Sequence, residues 1–124
     1  MRFRSFYLYA MPVLLYTAAI FYFSSMPNPP SAGMAFLLLD KLEHAFEYFI
    51  LAMLLLRALK HYIVKHPYVL SVAITALYGV SDEIHQLFVP GRVFSVYDII
   101  ADAVGASVIL VFYVLEKKMN KKRE

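Results

Sequence analysis

The segment Pro67–Leu87 reads PYVLSVAITALYGVSDEIHQL, apolar as far as Val80 and abruptly ionic from Asp82 onward. It has ~20 residues, the length at which a helix crosses the hydrocarbon of a bilayer. Three further stretches share that length and character: Phe6–Ser25, Ala35–Leu59 and Ser95–Leu115. All are continuous and rich in Leu, Ala and Phe, without the in/out alternation of a membrane strand. A mean hydropathy of +0.62, with 61% apolar residues in 124, is too high for a soluble domain of this size. The expected fold is all-α: an integral membrane four-helix bundle, one domain over residues 1–124 without internal repeats.

Charge gives this bundle a direction. Arg2 and Arg4 precede the first span, Arg57, Lys60 and Lys65 lie between the second and third, and Lys117, Lys118, Lys121, Lys122 and Arg123 follow the fourth. Ten of the twelve basic residues thus fall at one end, with Lys41 and Arg92 at the other. The positive-inside rule then makes this a multi-pass cell-membrane protein with both termini cytoplasmic. A net charge of +3 and a pI near 9.1 invite a nucleic-acid reading. Basic tails beside a membrane are routine, however, and the expected partner is membrane lipid, with no nucleic acid. The first span follows a basic start as a signal peptide does, but its apolar run is too long and no A-x-A site precedes Pro27, so it reads as uncleaved. With no cysteine, disulfides, thiolate metal sites and Cys nucleophiles are excluded.

Seven of the nine carboxylates gather at the end opposite the basic residues: Asp40, Glu43, Glu47, Asp82, Glu83, Asp98 and Asp102. Ionisable groups at membrane depth are expensive and usually functional. Some have a plainer explanation. Ser24–Gly33, SSMPNPPSAG, must be a non-helical connection. Span two then begins near Ala35, with Asp40 more than a turn deep, or at Asp40 itself as an N-cap with Glu43 at N3. The second start is simpler and is the one adopted; Asp40–Leu59 then gives ~30 Å, one bilayer core. Span four opens alike, with Ser95 as cap and Asp98 at N3 after the Pro90-Gly91 turn. His44, Glu47, Asp82 and Asp102 lie deeper, where no cap needs them. Helical periodicity puts Asp40, His44 and Glu47 on one face of span two. Asp82 and Gln86 share a stripe with Tyr78, flanked by Glu83 and His85. Ser95, Asp98, Asp102 and Gly105 line a face of span four, where Gly105 permits close helix approach. Because spans two and four run inward and span three outward, the three stripes meet at one extracytoplasmic end.

The ordered set D-K-x-x-H (Asp40, Lys41, His44), D-E-x-x-Q (Asp82, Glu83, Gln86), G-R (Gly91, Arg92), then Asp98, Asp102 and Gly105, resembles the VanZ-like family. That family is named for a small glycopeptide-resistance protein linked to teicoplanin. The resemblance covers Asp40–Gly105 and implies a small envelope membrane protein with a polar site, without implying a reaction or a cofactor. His85 and Glu47 stand outside the pattern.

Three readings of the site remain open. In the first, an enzyme acts on an anionic lipid or lipid-linked envelope ligand at the outer leaflet. His44 would be its base or acid, Asp82 or Glu83 would orient the ring or act as partner acid, and Arg92 and Lys41 would hold the anionic headgroup. Asp40, Gln86, Asp98 and Asp102 complete the ligand-binding set. Its gap is the nucleophile, since Ser81 and Ser95 have no evident activating partner. In the second, the i, i+3 pairs His44/Glu47 and Asp82/His85 ligate a metal. In the third, the protein is a non-catalytic binder or scaffold whose charges lock the bundle.

Overall fold

The computed structural model describes residues 2–27 and 34–123, which form four helical rods with no strand among them. The first, α1 (Phe3–Ser24), is continuous through a π-helical stretch at Phe6–Ala10. That widened turn leads into Met11–Ser24, where Pro12 sits in the opening turn and its missing N–H costs little. The others are α2 (Met34–His61), α3 (Pro67–Gln86) and α4 (Val96–Lys121). α4 is jointed at Val108, where Val108 and Val111 make i→i+3 bonds to Gly105 and Val108 (3.3 and 3.0 Å). The sequence gives no sign of this joint. Of the expected Ser24–Gly33 connection, residues 28–33 lie outside the described residues.

Asp40 is not an N-cap. α2 runs 28 residues from Met34, so Asp40 is more than a turn inside it. Phe36, Leu37, Leu38 and Leu39 are all exposed and apolar, and helix is the conformation that satisfies their backbone in lipid. At ~1.5 Å per residue, such a rod exceeds a bilayer core of ~30 Å. The capping expectation at Ser95 does hold: its Oγ accepts from the Asp98 N–H at 3.3 Å.

Burial is inverted relative to a soluble protein. The face that α3 hides is small and polar, comprising Ser71, Thr75, Gly79, Asp82, Glu83 and Gln86 beside Tyr68. Large apolar side chains cover the outside, from Leu14, Leu15, Phe21 and Phe23 on α1 to Val111, Phe112 and Leu115 on α4. Water would penalise that surface heavily, whereas lipid does not. α1 and α4 are each long and apolar enough to cross a membrane, with mean hydropathies of 1.6 and 2.0. This is an integral membrane four-helix bundle.

α2 and α4 form its tightest seam, with α3 against both and α1 leaning on α2 and α3. At Gly105 the two backbones touch, and an added Cβ would lie 1.9 Å from the Ala45 carbonyl oxygen. A second glycine, Gly79 on α3, leaves room for the Asp102 carboxylate and the Tyr48 ring. The molecule is stratified: an acidic layer, then an apolar one (Ala52, Leu56, Ala106 and Ile109), then a basic end.

Candidate functional site

Each helix places its polar residues by a separate local cause. On α2, Asp40, His44 and Glu47 follow one another at helical spacing and face the gap beside α1 and α3. On α3, Asp82 and Gln86 are one turn apart, and the Gln86 amide donates to Asp82 Oδ2 (3.3 Å) and to Ser24 Oγ of α1 (3.2 Å). After α3, Val89-Pro90-Gly91-Arg92 closes a turn by the bond from Arg92 N–H to Val89 O at 3.1 Å, with Gly91 at φ 78°. Pro at the second position and a left-handed Gly at the third are the requirements of a type II turn. This turn delivers Arg92 to the end of α1, where its Nε and Nη2 donate to the carbonyls of Met26 (3.0 Å) and Phe23 (3.1 Å).

At the start of α4, Glu83 reaches across from α3 and accepts the Ser95 N–H at 2.8 Å. That is the bond an N3 acid makes in a capping box. With Glu83 filling this role, Asp98 is free to pair with Lys41, whose ammonium also holds Asp40 Oδ2 at 2.7 Å. One turn further in, Asp102 Oδ1 lies 3.0 Å from His44 Nδ1, and Asp98 Oδ2 lies 4.0 Å from His44 Nε2. The group that meets the imidazole is therefore Asp102, and not Asp82 or Glu83, which the enzyme reading offered as partners.

Two adjoining cavities open at this layer. The larger, about 720 Å³, lies between α1, α2 and α3; the smaller, about 490 Å³, lies under the turn before α4. Asp40, His44, Gln86 and Arg92 border both, Asp82 borders the larger, and Lys41 and Asp98 border the smaller. Glu83 and Asp102 border neither and stand behind the wall, each with one buried carboxylate oxygen that has no partner among the described residues. Glu43 and Glu47 also line the larger cavity, as do Tyr16, Ser24 and Phe23 of α1. The α1 contribution has no signal in the sequence, because it depends on which rod is adjacent. Within α1, Arg4, Ser5, Thr17, Ser24 and four tyrosines (Tyr7, Tyr9, Tyr16 and Tyr22) interrupt an apolar run, and nothing local marks Tyr16 or Ser24 among them.

The hydroxyls are occupied. Ser81 Oγ donates to the Tyr78 carbonyl at 2.7 Å, and Ser95 Oγ caps α4. His85 points away from both cavities, bonded to Ser25 Oγ at 2.9 Å and stacked on Phe21. The pairs His44/Glu47 and Asp82/His85 therefore do not converge on one point. A different trio, Asp40, His44 and Asp98, presents ligand atoms within 4.8 Å of one another, with the Lys41 ammonium bonded to both carboxylates.

Fold and site together define a small helical membrane protein whose acidic layer centres on a histidine. The chain belongs to the VanZ/LLP1 family, whose model matches residues 4–117. No curated protein and no solved structure matches it.

Proposed function

We propose that this VanZ-like protein is multi-pass, crossing the cell membrane near residues 6–25, 35–59, 67–87 and 95–115, with both termini cytoplasmic. Its acidic layer then faces outward and receives an anionic lipid or lipid-linked envelope ligand, on which His44 performs acid–base work. The observation carrying this reading is His44 itself, backed by Asp102 at 3.0 Å and opening on a cavity of about 720 Å³. That cavity is apolar along Ala19, Ile20 and Phe23 and ionic along α2 and α3, as an amphiphile requires. In the tautomer that donates Nδ1–H to Asp102, Nε2 is left as the exchanging atom. Arg92 has no carboxylate partner among the described residues, and the rest of its fork suits a phosphate or carboxylate headgroup.

Lipids co-purifying with the protein, identified by mass spectrometry, test the ligand. Wild type should retain one amphiphile class enriched over the bulk membrane, and Arg92→Gln should lose it; bulk composition in both would refute the reading. With that ligand in hand, His44→Ala separates catalysis from binding. A loss of turnover by ~10²-fold or more at retained affinity means an enzyme, and a graded loss of affinity means a binder. As the chain has no cysteine, Val93→Cys gives a single reporter that outside-added maleimide should label in intact cells. We further propose a link to glycopeptide resistance: overexpression should lower teicoplanin susceptibility, and unchanged susceptibility would remove that part of the reading. Metal binding is the second reading, favoured by the Asp40–His44–Asp98 trio. Elemental analysis after gentle extraction decides it, and absence of stoichiometric metal retires it.

A further inference from the structure

The charges lining the larger cavity do not balance. Asp40, Glu43, Glu47 and Asp82 border it, against His44 and Arg92. His44 is held by Asp102, and Lys41, which lies outside this cavity, is held by Asp40 and Asp98. Among the described residues, no Lys or Arg lies within 4.0 Å of Glu47 or Asp82. Asp82 is the telling one. It is 6% exposed, its one side-chain bond is the 3.3 Å contact from Gln86 to Oδ2, and Oδ1 has no partner among the described residues. Its exposure is onto the cavity it borders. A carboxylate withdrawn from water without a cation is costly, and a positive group brought beside it offsets that cost. Arg92 meanwhile offers a positive fork at the mouth of the same cavity.

Resting on the pocket reading above, we propose that the ligand carries a protonated amine as well as its anionic group. The amine is held by Glu47 and Asp82 and the anion by Arg92. The headgroup is thus zwitterionic, of the phosphoethanolamine kind. The apolar wall along Ile20 and Phe23 takes the adjoining chain. Glu47 lies outside the family pattern, so this assignment gives a role to a residue that the resemblance leaves idle.

Calorimetric titration of the purified full chain in detergent provides the test. The probes are dihexanoyl phosphatidylethanolamine, dihexanoyl phosphatidylglycerol and free phosphoethanolamine. The ethanolamine lipid should bind roughly tenfold tighter than the glycerol lipid, the gain expected from one charge-assisted contact. Glu47→Gln and Asp82→Asn should each abolish that preference while keeping the glycerol-lipid affinity, which also reports that the variant is folded. Equal binding of the two lipids by wild type, or a preference surviving in Glu47→Gln, overturns the amine site and leaves the pocket standing. Failure of both lipids to bind wild type refutes the pocket and the amine site together. Free phosphoethanolamine binding as tightly as its lipid form would support the amine site and overturn a lipid as its source.

Discussion

The two ends of this bundle both carry ion pairs, yet they differ in what water does to them. At the basic end, Lys60 Nζ meets Glu116 Oε2 at 3.0 Å and Tyr68 Oη at 2.8 Å, with both charged side chains well exposed. Arg57 lies over the Tyr9 ring at 4.8 Å, and His61 stacks on the same tyrosine at 3.7 Å. At the acidic end, Asp98 is 6% and Asp102 1% exposed. Water and salt weaken the first set, and little does so for the second. Similar contacts thus have different consequences: one end holds charges that water and ions can satisfy on their own, while the other holds charges whose removal leaves a partner stranded.

The comparison breaks most completely at Gly105. Gly105→Ala puts a methyl carbon against the Ala45 backbone, which cannot step aside. The cost should exceed the usual ~1–3 kcal/mol of overpacking, and no monodisperse species should survive size exclusion in detergent. Asp102→Ala comes next, leaving His44 Nδ1 without its partner beside a buried vacancy. A loss of about 3–5 kcal/mol is expected in an SDS-unfolding titration, as for other broken buried pairs. Glu83→Ala removes the acceptor for the Ser95 N–H and should cost about 1–3 kcal/mol, mostly as fraying of the start of α4 seen by hydrogen exchange.

The basic end should respond least. Glu116→Ala is expected to change stability by less than about 1 kcal/mol, and still less in high salt. Hydrogen bonds from Tyr68 and Lys60 hold the Glu116 carboxyl below its ordinary value, so its contribution is present above the unfolded value and fades as the pH falls through the folded one. For Lys60 burial pulls downward, but the bonds to Tyr68 and Glu116 prevail and raise it. Its contribution is complete below the unfolded value and fades in strong alkali as the pH rises through the raised one. Because the pairs at the acidic end titrate in both proteins, the readout is the difference: wild type should lose slightly more stability in acid than Glu116→Ala, and identical losses would refute the pairing.

What was legible in the sequence follows from the same physics. Four rods could be read because hydrocarbon demands long apolar runs, and the common end of the polar stripes followed from helical periodicity plus alternating direction. The start of α2 was misread because Asp40 and Glu43 have cap spacing, and only the exposed apolar run Phe36–Leu39 carries the helix past them. Periodicity gives the face on which a side chain lies but not its neighbour. Hence Asp102 as the partner of His44, Glu83 as a cap borrowed from another helix, and α1 as a cavity wall all required the three-dimensional arrangement. The joint at Val108 had no local cue, since Gly105-Ala106-Ser107 reads as ordinary small-residue helix.

The turn before α4 has a consequence for how a ligand arrives. Val93 and Tyr97, at the lip of the smaller cavity, stand 78% and 76% exposed, and Phe88, just before the turn, 81%. Side chains of this kind settle among headgroups and upper acyl chains and are not held out in bulk water. A lipid of the kind proposed above would then enter sideways from the leaflet, by two-dimensional diffusion, with its local mole fraction and not an aqueous concentration setting occupancy.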